Sequence, residues 1–187
     1  MFVLGIDPGL SRCGYGLVHS TGRGGMAASV AGVIETDPAA PLHERLWMVQ
    51  HEIDSLMDDL HPEAVVVERV FFQVNARTAM SVGQVSGLAL AAAAKFGCDV
   101  VQYTPNEVKQ AVVGYGAASK DQVQRMVAAT LGLEIVPRPA DVADALALAV
   151  CHLASSSFHR AVRTAVGGTS ETYGMTVGSN MKEGGRT

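Results

Sequence analysis

Cysteine is scarce in this chain, with three among 187 residues, at positions 13, 98 and 151. They are odd in number and far apart, so they build neither a disulfide framework nor a zinc site. Cys151 and His152 are adjacent, but both fall in an apolar helical run where packing explains them. There is no excess of positive charge: the formal net charge is −4 and the pI is near 5.8. That excludes a generally basic nucleic-acid coat, so any nucleic-acid binding has to come from a local patch. Long hydrophobic runs are missing too. The longest, GLALAAAAKFG, is broken by Lys95 and too short to span a bilayer. The opening MFVLGIDPG carries no basic leader and enters a strand-like run at once. Taken together these absences lead us to expect a cytoplasmic protein with no membrane partner. No internal repeat is present.

What is there reads as one globular domain. Apolar residues make up 48% and charged residues 17%. A chain of this length buries roughly 70% of its unfolded surface and needs no staple. FVLGID, CGYGLVHS and MAASVAGVIET are strand-like runs joined by glycine-bearing links, which predicts an antiparallel meander. Leu42, Leu46, Val49, Ile53, Leu56 and Leu60 follow at helical spacing. AVVVE is a compact strand of the fully buried kind. Further helices are predicted from about Ala76 to Lys95, after Thr104 with its capping pattern to Glu107, after Ser119, and from about Asp141 to Ser155–Ser157. CDVVQY supplies one more strand. From Phe158 the composition turns to Gly, Ser and Thr, so we expect a domain over 1–157 and a flexible tail over 158–187. Three strands followed by βαβ units predict an α/β fold: a mixed sheet with helices on both faces, laid out like a ribonuclease-H-like domain.

Four acids stand at the ends of elements that otherwise read as buried. Asp7 closes the first strand and Glu68 closes AVVVE. Asp141 and Asp144 sit three apart at the head of ADVADALALAVCHLA. Capping and the helix dipole account for Asp141, and solvation accounts for an acid at a strand end. They account less well for Asp144, which lies inside the apolar run. If the four converge, their repulsion is severe: two unit charges 4 Å apart cost about 4 kcal/mol at an effective dielectric near 20. Divalent cations relieve it, and all-oxygen ligands favour Mg²⁺ or Mn²⁺ over zinc. Two such ions about 4 Å apart suit phosphodiester cleavage.

GIDPGLSRCGYGLV, VVVERVFF, VKQAVVGYGAASKDQVQRMV and DVADALALAVCH resemble, in order and spacing, the motifs of the RuvC family of bacterial Holliday-junction resolvases. The match runs from Met1 to about Ser156. The resemblance implies a ribonuclease-H-like fold with a five-stranded sheet and a homodimer. It implies Mg²⁺-dependent paired nicking of a four-way DNA junction, and partnership with the RuvA–RuvB branch-migration machine. It carries catalytic and metal-binding roles to Asp7, Glu68, Asp141 and Asp144. Phe71 is similar to the family aromatic that stacks on an unpaired base, a contact worth about 1–3 kcal/mol. A core phenylalanine is the alternative, a part that Phe72 fills as readily, and stacking is the reading we favour for Phe71. Lys109 and Lys120 match family lysines near the scissile phosphate, although solvated helix charge would also explain them. Arg69 adds to a basic rim. Between Arg69 and Arg125 there are six Lys/Arg and three acids, a local balance of +3 in a chain of −4, which suits DNA held by its phosphates. Small residues at Ala79, Gly83, Ser86, Gly87 and Ala91 lie where the family dimerises.

Two other readings remain open at this level. GIDPGLSRCGYG also resembles the phosphate loop of actin-like ATPases, but those need a duplicated domain and only one copy is present. A non-catalytic DNA-binding scaffold is the other, in which the acids merely cap and solvate.

Overall fold

The computed structural model describes residues 1–22, 24–69 and 76–165, with 76–78 and 157–165 described by their backbone alone. Its strands are β1 (Phe2–Asp7), β2 (Arg12–Gly22), β3 (Gly25–Glu35), β4 (Ala64–Glu68) and β5 (Asp99–Tyr103). They form one sheet in the order β3-β2-β1-β4-β5. The first three strands make the antiparallel meander, while β4 pairs parallel with β1 and β5 parallel with β4. The helices are α1 (Leu42–Leu60), α2 (Ala76–Lys95), α3 (Pro105–Val113), α4 (Lys120–Thr130) and α5 (Ala140–Ala165).

Side chains alternate across a strand, and the two parities of β1 feed two separate cores. Val3 packs with Ala64 and Val66 of β4 against Leu146 and Val150 of α5, backed by Val108 of α3 and Val127 of α4. Leu4 and Ile6 pack with Val65 and Val67 against Val49, Ile53 and Met57 of α1 and Val85 and Ala89 of α2. A sheet buried on both faces needs strands that are apolar throughout, which is what VVV in β4 supplies. The mixed five-stranded sheet with helices on both faces is therefore the expected architecture.

Local signals start the shorter helices. Thr104 and Ser119 each accept from the backbone N–H three residues on, and Glu107 and Gln122 reach back to the cap N–H. Substituting such a cap by Ala costs about 1 kcal/mol. Gly114 ends α3 in the left-handed conformation, φ 78°. One expectation needs correcting. α5 does not stop at 155–157 but runs to Ala165, so residues 158–165 belong to a helix. The rest of the expected tail, 166–187, lies outside the described residues.

Candidate active site

β1 and β4 are parallel neighbours with Ile6 opposite Val67, so the next residues, Asp7 and Glu68, end side by side. Parity puts both on the α5 face, because Val3, Ala64 and Val66 belong to that core and side chains two apart share a face.

Glycine brings α5 down to meet them. A Cβ on Gly14 would collide with the Asp141 carbonyl oxygen and stand 3.2 Å from the Asp141 Cβ. A Cβ on Gly5 would collide with the Ala145 carbonyl oxygen and stand 3.1 Å from the Ala149 nitrogen. Gly14 is the cross-strand partner of Asp7, and Gly16 that of Gly5. Missing side chains on two adjacent strands thus make a slot for the helix backbone. Asp141 and Asp144, one turn apart at the head of that helix, are set down beside the strand ends.

The electrostatics report the convergence. Burial pushes the Asp7 carboxyl up to about 7, helped by the charges of Asp144, Glu68 and Asp141 and opposed by Lys120. Burial also raises Glu68, with Asp144 adding to it and Lys120 again opposing. Two cations stand inside the cluster. Lys120 Nζ is 2.5 Å from Asp144 Oδ2, and Arg12 Nη2 is 3.2 Å from Asp141 Oδ2. Burial works to lower Lys120, but its bond to Asp144 and the charges of Asp144, Asp7 and Asp141 outweigh this and hold it above the ordinary lysine range.

The donor set suits a hard divalent cation. It is all carboxylate oxygen, and Asp141 Oδ2 is shielded from solvent yet accepts no hydrogen bond. Arg12 lies within ion-pairing distance of that oxygen without aiming an N–H at it, which reconciles the pair with the unsatisfied acceptor. As the side chains stand, no three His, Cys, Asp or Glu among the described residues close tightly enough on one point to hold an ion. Mutual repulsion keeps carboxylates apart, and Lys120 and Arg12 draw Asp144 and Asp141 toward themselves.

The loop after Asp7 is pinned from outside the site. Thr36 Oγ1 donates to the Leu10 carbonyl at 2.5 Å. Arg45 of α1 donates from Nε to Thr36 Oγ1 and from Nη2 to Ser11 Oγ, at 2.9 and 2.8 Å. These partners lie up to 34 residues apart, and no local pattern marked them. Arg12 was also missed. Its signal was parity, since Arg12, Gly14 and Gly16 alternate toward the same face.

The other expected residues fall in three places. Lys120 is in the cluster. Arg69 is exposed just beyond Glu68, where its guanidinium donates to the Gln102 carbonyl at 3.2 Å. Lys109 stands outside the cluster and lines an open hollow with Asn106, Gln110, Gly116 and Ala117. Phe71 lies outside the described residues.

Comparison with known proteins agrees with this arrangement. The family model described as "Crossover junction endodeoxyribonuclease RuvC" matches residues 3–152. A protein of that name from Desulfitobacterium hafniense is 49% identical over 152 residues, covering 81% of this chain and 92% of its own. The structure of RuvC from Thermus thermophilus superposes with a TM-score of 0.80 at 38% identity, covering 85% of this chain and 97% of that one. The same protein in complex with a Holliday junction substrate also gives a TM-score of 0.80 at 38% identity, covering 85% and 96%. Both cores, the strand-end acids and the head of α5 fall within the matched span, and the chain belongs to the RuvC family of crossover junction endodeoxyribonucleases.

Proposed function

We propose that this chain resolves Holliday junctions by paired, divalent-metal-dependent nicks in opposing strands, in homologous recombination and DNA repair. The observation that carries this is the carboxylate cluster. Asp7 is held protonated up to about 7 by burial and by three acids from two other elements, an arrangement that stores unmet demand for cationic charge. Asp7, Glu68, Asp141 and Asp144 would hold two divalent ions, Mg²⁺ by preference with Mn²⁺ as a substitute. When bound, these supply an activated water and stabilise the departing 3′ oxygen.

The chain's own residues do the rest. Asp7 gives up its proton to become a ligand. Lys120 leaves Asp144 and offers its charge to a phosphate beside the scissile bond. Lys109 and Arg69 hold phosphates farther out. Phe71 follows the Glu68 strand end and stacks on an unpaired base of the junction. The nuclease domain is residues 1–157 by its motifs, and α5 carries the chain on from it to Ala165.

A homodimer gives two equivalent active sites, so nicks in opposing strands follow from twofold symmetry. α2 supports this. Its Val85, Ala89, Ala92 and Ala93 pack inward, whereas Gly83 and Gly87 look into open space near Met80, which is 66% exposed. The RuvA–RuvB complex is the partner that delivers the junction. The Thermus RuvC bound to a Holliday junction substrate supports the choice of DNA. No described helix is long and apolar enough to cross a membrane.

The test compares a synthetic four-way junction with a linear duplex of the same sequence, each with Mg²⁺ and with chelator. Symmetric nicks in the junction with Mg²⁺ alone are expected. Equal cutting of the duplex, or cutting that survives chelation, refutes the reading. Lys120 has its own test. Lys120→Ala should lower the slope of log affinity against log salt by about one unit, as loss of one phosphate contact requires. An unchanged slope removes Lys120 from the DNA surface.

A further inference from the structure

Arg12 opens β2 and shares the α5-facing parity of Gly14 and Gly16, so it overhangs the carboxylates from the β3 side of the sheet. Its Nη2 lies 3.2 Å from Asp141 Oδ2, yet the contact is poorly made. The oxygen is closed to solvent and accepts no hydrogen bond, while the Arg12 side chain is 54% exposed. A guanidinium bound for its own sake forks onto a carboxylate through two parallel N–H bonds. Here it delivers charge without aligned donors. Asp141 therefore keeps an oxygen with no ligand of good geometry, and the neighbouring cation is free to leave.

We propose that Arg12 is a place-holder at Asp141: it neutralises that carboxylate in the metal-free protein and, once Asp141 turns to a divalent ion, swings out to take a phosphate of the DNA. The proposal rests on the metal-dependent reading above. A guanidinium and a metal cannot both crowd Oδ2, because like charges at contact distance repel strongly. Four carboxylates, Lys120 and Arg12 sum to −2. Two divalent ions turn this to +2, which two phosphodiester charges offset. Both side-chain cations then face DNA rather than acids. Arg12 would thus lower metal affinity in the free protein and raise DNA affinity in the loaded one.

The test uses the full chain in two assays. The first is Mn²⁺ titration without DNA, followed by electron paramagnetic resonance. Arg12→Gln should tighten Mn²⁺ binding about tenfold, the effect of removing one neighbouring like charge. The second is junction affinity against salt, in Ca²⁺ with the junction checked to be uncut, and in chelator. Arg12→Gln should lower the slope by about one unit in Ca²⁺ and leave it unchanged in chelator. Arg12→Lys should keep the wild-type slope in both. Unchanged or weakened Mn²⁺ binding by Arg12→Gln overturns the proposal, as does an equal loss of slope in chelator. Failure of the underlying metal reading looks different: wild type binds no Mn²⁺, or Asp7→Asn binds it as tightly as wild type, and both ideas then fall.

Discussion

Asp7→Asn is expected to bind a four-way junction as wild type does and to cut it ~10³-fold more slowly, the upper end of what loss of one preorganised charge-stabilising group costs. The same substitution should stabilise the metal-free protein at pH 8. Burial and the charges of Asp144, Glu68 and Asp141 raise the Asp7 carboxyl from 3.8 to about 7. The folded state therefore binds this proton more tightly than the unfolded state does. Stability per unit pH follows the protons held by the unfolded minus the folded form, which is negative here. Between about pH 4 and 7 the metal-free wild type loses stability as pH rises, and above 7 the loss is complete. An amide in place of the carboxyl removes this slope, so Asp7→Asn in chelator melts above wild type at pH 8 and close to it at pH 4. Saturating Mg²⁺ should reverse the order at pH 8, because an ion that binds the native state stabilises it. At sub-saturating metal, cleavage should fall as pH drops through 7, since a protonated carboxyl is not a ligand. Thermal melts in chelator and in Mg²⁺ across pH 4–8 check each step. A mutant that melts below wild type at pH 8 without metal would show that Asp7 carries no excess charge.

The acids were legible because each breaks a local rule. Asp7 ends a strand whose four preceding residues are buried, Glu68 ends one buried throughout, and Asp144 interrupts an apolar helix. The sheet was legible for the opposite reason: AVVVE and FVLGID obey the pattern of strands covered on both faces. What stayed hidden depends on residues that meet only after folding. Arg45 pins Ser11 and Thr36 across an α1 turn and a loop, and its own surroundings in sequence read as ordinary amphipathic helix. Arg12 reads as a loop residue until the β2 register turns it toward Asp141. α5 runs past the expected end at 155–157 because the Gly, Ser and Thr composition of the tail sets in only after Ala165. Serine is a middling helix former rather than a breaker, and FHRAVRTA beyond it contains nothing that ends a helix.

Gly5→Ala and Gly14→Ala should separate the two jobs of the α5 slot. Each adds one methyl group to a strand, which an exposed strand would tolerate. At Gly5 the new carbon meets the Ala145 carbonyl and the Ala149 nitrogen, both backbone atoms in the middle of the helix. Neither can rotate aside, so the whole helix must retreat from the sheet, opening the core that Val3, Leu146 and Val150 share. A loss of about 3 kcal/mol is expected, the top of the overpacking range, which for a chain of this length lowers Tm by about 6–12 °C. At Gly14 the new carbon meets only the Asp141 carbonyl and Cβ, at the first turn. A first turn can tilt while the rest of the helix stays docked, so the stability cost should be smaller, about 1 kcal/mol. The tilt moves Asp141 and Asp144 together, however, and a carboxylate pair displaced by about 1 Å costs about 10²-fold in rate. Gly14→Ala should therefore fold, bind junction and cut poorly, whereas Gly5→Ala should lose stability first. Equal Tm losses for the two variants, or full activity in Gly14→Ala, would mean that α5 does not depend on these glycines to set its acids in place.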